Sequence, residues 1–174
     1  MAGIKEPQRV LPFVGLIYVK DFNIDTALKE FEPILGGVIK KSDIITFAHT
    51  TYYNKEMGEN LLRQWVVFEK LIFPDLLIEL KHKSNEIEKK FLNKNGGRSI
   101  NIDPGLISLS SVILASTKNY SHRIYLGKGI YAEVTLIYKN GQFRPLEWTY
   151  PDYREEIVLQ FFTESRTMLK NNNW

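Results

Sequence analysis

His122-Arg-Ile-Tyr-Leu-Gly-Lys-Gly-Ile-Tyr-Ala-Glu-Val-Thr-Leu136 and its continuation Ile137-Tyr-Lys-Asn-Gly-Gln142 decide the fold. His122 to Leu126 and Ile130 to Tyr138 read as strands joined by Gly127-Lys-Gly129. Asn140-Gly141 supplies a two-residue type I′ turn into a third strand, Gln142 to Leu146, because that turn needs positive φ at both central residues and Asn and Gly adopt it at least cost. An antiparallel meander results. At period two, Ala132, Val134 and Leu136 share one face of its second strand and Tyr131, Glu133 and Thr135 the other. Glu133 stands where such a strand would ordinarily carry Val or Ile. Buried charge is costly unless paired, so Glu133 marks either an ion-paired scaffold or a site.

N-terminal to the meander, Leu11-Pro-Phe-Val-Gly-Leu-Ile-Tyr-Val19 is a near-continuous apolar run, which suits a central strand covered on both faces. Asp25 opens a short helix with Ala27, Leu28, Phe31 and Ile34 at helical spacing, stopped by Gly36-Gly37. Ile44 to Ala48 and Leu62 to Phe68 read as strands, the second with a helix as the alternative. A helix from Pro74 to Leu92 places Leu76, Leu80, Ile87 and Phe91 on one side. Arg98 to Ile102 reads as a strand closed by an Asp103-Pro-Gly105 turn, and Leu106 to Ala115 fits either element. Asp152-Tyr-Arg-Glu155 has the form of a capping box opening a last helix with Ile157, Phe161 and Met168 inward, and the tail Asn171-Asn-Asn-Trp174 is expected to fray. This order predicts an α+β fold: a ferredoxin-like split βαβ core extended by the antiparallel meander and a C-terminal helix.

The chain has 174 residues, 44% of them hydrophobic, enough for one ordinary core, so a single domain over 1–174 is expected. The 23 Lys and Arg exceed the 20 Asp and Glu by a formal charge of +3, a mild basicity that does not by itself point to nucleic acid. With no cysteine, disulfides, thiol nucleophiles and thiolate metal sites are excluded. Met1 to Val10 lacks the apolar centre of a signal peptide and no apolar run reaches membrane-spanning length, so a cytoplasmic protein with no membrane partner is expected.

Lys5-Glu-Pro-Gln8, Phe13-Val-Gly15, Tyr52-Tyr53 with Lys55-Glu-Met-Gly58, Asn101 to Gly105, and above all the His122–Leu136 stretch and Trp148-Thr-Tyr-Pro-Asp-Tyr153 carry a resemblance. Over nearly its full length the chain resembles an uncharacterised prokaryotic family, a domain of unknown function numbered 4416. The resemblance implies one shared domain and no particular chemistry. At Ala48-His-Thr-Thr51 the chain departs from the family pattern, which carries an acidic residue there.

Lys118, Arg123, Lys128 and Arg154 cluster in sequence around the meander with Tyr125, Tyr131, Thr135 and Tyr150, and short-range Arg and Lys are what a phosphate or carboxylate ligand requires, with surface basicity the reading for Lys128. On that reading Glu133 is a general base or metal ligand, Asp103 and His122 are its partners, and a divalent cation such as magnesium suits the carboxylates. On the other reading Glu133 pairs with Arg123 and fixes strand register. A regular strand would send His122 and Arg123 to opposite faces, and His49, His82 and His122 show no metal-ligand spacing. No P-loop spacing occurs, and Asn54-Lys-Glu-Met57 and Asn93-Lys-Asn-Gly96 lack the final Asp of a guanine-reading motif, which excludes a P-loop GTPase. Ser108, Ser110 and Ser111 lie in no Gly-x-Ser-x-Gly turn.

The expected function is therefore a small enzyme or ligand-binding domain for a phosphate-bearing metabolite or nucleotide. Two alternatives stand beside it: an RNA-binding module stacking bases on Tyr125, Tyr131 or Tyr138, which has less support, and an interaction protein pairing through its meander edge. Neither the cofactor nor the oligomeric state follows from the residues.

Overall fold

The computed structural model describes residues 3–171, which form a nine-stranded antiparallel sheet carrying helices on both faces. In chain order the elements are β1 (Leu11–Tyr18), α1 (Ile24–Leu28), α2 (Glu32–Leu35), β2 (Val38–Lys41), β3 (Ile45–Thr46), α3 (Asn54–Met57), β4 (Leu62–Phe68), α4 (Leu77–Lys90), β5 (Ile100–Ile107), β6 (Ser111–Ser116), β7 (Ile124–Gly127), β8 (Ile130–Lys139), β9 (Gln142–Pro145) and α5 (Glu156–Asn171). The strands run in the order β2-β4-β1-β5-β6-β8-β7, with β3 on β4 and β9 on β8. Among the described residues no helix is long and apolar enough to cross a membrane.

β1 is central and buried along its whole length, as its apolar run requires. Its even-numbered residues Val14, Leu16 and Tyr18 join Val66, Phe68, Ile100 and Ile102 beneath α1, α2 and α4. Its odd-numbered residues lie on the opposite face. There Phe13, Trp65, Val67, Ile107, Val112 and Leu136 pack under Val158, Phe161 and Phe162 of α5.

The meander forms as read, with Asn140 at φ 53° and Gly141 at φ 84° between β8 and β9. Its alternation, however, breaks at a bulge: Val112 pairs with Leu136 but Ile113 with Val134, so Thr135 is an extra residue. The bulge transfers Leu136 to the α5 core, away from Ala132, which packs against the opposite cluster. The expected single helix after Asp25 is two, because Pro33 in the first turn of α2 has no N–H to continue α1; the N-cap is Asn23, whose side chain accepts from the Asp25 N–H. β2 was not anticipated, being short and half polar, and β3 is shorter than expected. Asp152 does not cap α5. It lies in a 3-10 turn, Pro151–Arg154, with its carboxylate on Arg63, and α5 turns Ile157 outward while burying Val158, Phe161, Phe162 and Leu169. Met168 is half-buried. Of the tail expected to fray, 171 ends α5, and 172–174 lie outside the described residues.

Asp103-Pro-Gly105 is not a turn: β5 runs straight through it, pairing Asp103 with Gly15 and Gly105 with Phe13. Gly105 is there because the Phe13 ring occupies the place of a side chain; an added Cβ would strike the ring and stand 2.6 Å from the Ile113 carbonyl oxygen. Gly105→Ala is expected to cost about 1–3 kcal/mol through overpacking, read as a lower denaturant midpoint at unchanged m.

Candidate functional site

α5 covers only part of its face of the sheet. Beyond it, Ile17, Arg63, Asn101, Asp103 and Glu133 project from β1, β4, β5 and β8 into a cavity of about 650 Å³. Segments around Tyr52, Lys118 and Tyr150 form its walls.

On the floor, Arg63 Nε donates to Asp152 Oδ2 at 2.8 Å, and the Arg63 side chain is 3% exposed. Its guanidinium lies 4.4 Å from the centroid of Trp65 and 5.3 Å from that of Tyr153. Gly15 makes this possible: a Cβ there would come within 3.0 Å of Tyr153 Oη and 3.1 Å of Arg63 Nη1, so both groups rest on bare backbone. Arg63 Nη1, Tyr153 Oη and the neighbouring Trp65 Nε1 are buried without a hydrogen-bond partner among the described residues. Such atoms are rare because each forfeits its hydration. Burial alone would lower the Arg63 pKa, but Asp152, with Asp103 beyond it, leaves it raised and the guanidinium charged. Burial pushes the Tyr153 phenol far up, so it keeps its proton.

One wall is an opening in the sheet. β5 pairs with β6 only over Gly105, Leu106 and Ile107. Below that point two α4 side chains replace a strand at Ile102: its N–H donates to Glu88 Oε1 at 2.6 Å, and its carbonyl accepts from Lys81 Nζ at 3.2 Å. Lys81 also holds Asp103 Oδ1 at 3.1 Å, while Asn101 Nδ2 donates to Asp103 Oδ2 at 2.8 Å. Arg98 ties these to α3, gripping both oxygens of Glu56 at 2.6 and 2.9 Å and donating to Glu88 and Asn101. Asp103 is still 28% exposed and lines the cavity.

Burial pushes the Asp103 carboxyl up, and Lys81 and Arg63 more than reverse it, leaving the pKa below its ordinary value. Its contribution to stability is thus present above the unfolded pKa of about 4 and lost as pH falls through the lower folded value. Burial leaves the Glu88 pKa raised despite Lys81, so Glu88 has the opposite sign, its ionisation costing the fold as pH rises past about 4. Urea midpoints measured between about pH 4 and pH 2 are expected to fall less steeply in Asp103→Asn than in the natural chain.

The other wall is built on Glu133, 1% exposed, whose Oε2 accepts from Arg123 Nε at 2.7 Å and lies 3.2 Å from His122 Nε2. Thr135 Oγ1 donates to Oε1 at 3.4 Å. Arg123 is spent on the wall, donating to Ser116 Oγ, the Lys118 carbonyl and Tyr150 Oη at 2.7–2.9 Å. His122 and Arg123 do not point to opposite faces: both precede β7, in a turn where strand alternation does not apply. The His122 ring is stacked between Trp148, at 5.2 Å, and Tyr120, at 6.0 Å.

The cavity gathers Asp103, Lys118, His122, Arg123, Glu133 and Tyr150. Four anticipated ligand residues lie elsewhere. Tyr125 and Tyr131 pack on each other, 5.1 Å apart, between β7 and β8. Thr135 is buried against Glu133, and Arg154 clasps the carbonyls of Leu146, Glu147 and Thr149. Tyr138 packs on Phe143. Arg63 and Lys81 were not anticipated. Arg63 had a signal, a charge inside a strand, which is the argument that picked out Glu133.

Five lysine and arginine side chains line the cavity against three aspartates and glutamates. Lys118 is without a carboxylate partner among the described residues; its Nζ donates to Tyr52 Oη at 3.2 Å and lies over that ring. Among the described residues no three acidic or histidine side chains converge as metal ligands.

No curated protein and no solved structure matches the chain. A family model described as "Domain of unknown function (DUF4416)" matches residues 8–168 of the 174. The match spans the sheet, both cavity walls and most of α5, and the chain belongs to that family.

Proposed function

We propose that the cavity binds a small anionic, phosphate-bearing molecule, held by a ferredoxin-like split βαβ frame. The frame reading rests on the order β2-β4-β1-β5, all antiparallel, with both helical crossings packed on one face. The binding reading rests on Arg63, a buried guanidinium whose Nη1 has no partner among the described residues, at the floor of a cavity also lined by Lys118, which has no carboxylate partner among those residues. A ligand oxygen there would satisfy an N–H that is otherwise costly, and charge-assisted bonds to Arg are strong. Arg123 and Glu133 then shape the wall. Asp103, ionised and open to the cavity, is the carboxylate placed to accept a hydrogen bond from a ligand.

Thermal-shift measurements with inorganic phosphate, sugar phosphates and nucleotides, each with and without magnesium, test this. A bound phosphate compound at a hundred times its Kd is expected to add about 2.7 kcal/mol of stability. No upward shift across the panel would contradict the reading.

A second reading attaches to β7, an edge strand exposing Ile124, Tyr125 and Leu126. Such an edge offers unpaired backbone groups to a second copy of the chain. Light scattering decides it: a strict monomer at high concentration removes self-pairing.

A further inference from the structure

Asp103 and Arg63 belong to one patch. Gly15, on which the Arg63 guanidinium and Tyr153 phenol rest, pairs directly with Asp103 on the neighbouring strand. Paired Cα atoms are about 5 Å apart, and Gly15 and Asp103 share a face. The floor therefore holds, over one strand, a donor group without a partner among the described residues and, on the strand beside it, an ionised acceptor.

Each side selects its ligand group. Arg63 Nη1 and Tyr153 Oη belong to cavity-lining residues and are buried without a hydrogen-bond partner among the described residues. A phosphate monoester, close to dianionic, brings more charge to that guanidinium than a carboxylate does. Asp103 already has Lys81 on Oδ1 and Asn101 on Oδ2, so its charge is compensated and an incoming ammonium would face Lys81. Its remaining lone pairs suit a neutral O–H donor.

Resting on the reading of the cavity as an anion site, we infer that the ligand is a polyol phosphate: its phosphate docks on Arg63 and Tyr153, and a hydroxyl of the same molecule donates to Asp103. Bridging groups that stand over neighbouring strands takes a molecule whose hydroxyl lies a few bonds from its phosphate, as in a three-carbon chain. Ribose and glycerol phosphates both meet that requirement. A phosphate ester without hydroxyls does not.

Calorimetric titration of glycerol 3-phosphate against propyl phosphate separates the two parts. In the natural chain the propyl ester is expected to bind about 10- to 100-fold more weakly, the loss of one hydrogen bond to a charged acceptor. Asp103→Asn, whose amide oxygen is an uncharged and weaker acceptor, is expected to shrink that ratio severalfold while both esters still bind. Equal affinities in the natural chain, or an unchanged ratio in the variant, overturn the hydroxyl assignment and leave the anion site standing. Binding of neither ester overturns the anion reading itself. Should Asp103→Asn fail to fold, the ratio in the natural chain decides by itself, and ribose 5-phosphate against 1,4-anhydroribitol 5-phosphate, which lacks the anomeric hydroxyl, locates the hydroxyl concerned.

Discussion

Glu133→Gln is expected to lower the free energy of unfolding by about 3–5 kcal/mol, because it strips the counter-charge from a buried guanidinium. The Arg123 and Glu133 side chains are 3% and 1% exposed. Arg123 would keep Ser116, Lys118 and Tyr150, so the damage falls on charge balance rather than on hydrogen-bond count. A residue kept for chemistry behaves in the opposite way, its removal sparing or raising stability. A urea melt of the variant within about 0.5 kcal/mol of the natural chain would contradict the scaffold role.

Arg63→Met should be as damaging, by about 3–5 kcal/mol, since it leaves Asp152 buried without its partner. Replacing both members is different. Arg63→Met with Asp152→Leu removes two buried charges together, and the surroundings that Trp65 and Tyr153 provide accept apolar side chains, so most of the loss is expected to return. A double variant no more stable than Arg63→Met alone would mean that the pair is needed for the fold itself.

The meander was legible because its signals are local: Asn140-Gly141 and Gly127-Lys-Gly129 set turns whatever lies around them. Asp103-Pro-Gly105 misled for the same reason. Its turn chemistry is overridden by β1, whose Phe13 ring needs the space that Gly105 leaves, and no local window contains that contact. The bulge at Thr135 was hidden likewise, since it exists only relative to β6. Of the site, the wall from Lys118 to Glu133 was readable as charge within strand-like sequence. The floor was not, because Arg63, Asp103 and Tyr153 meet through three separate segments, joined over Gly15. Arg154 was adjacent in sequence to that cluster, yet the fold turns it onto backbone carbonyls.

The central claim is that Arg63 anchors an anion. Calorimetric titration of ribose 5-phosphate into the natural chain and into the folded Arg63→Met, Asp152→Leu double variant tests it most directly. The account predicts saturable binding to the natural chain and at least tenfold weaker binding to the double variant, the loss of one charge-assisted hydrogen bond or more. Equal affinity for both proteins, or no binding to the natural chain, would contradict it.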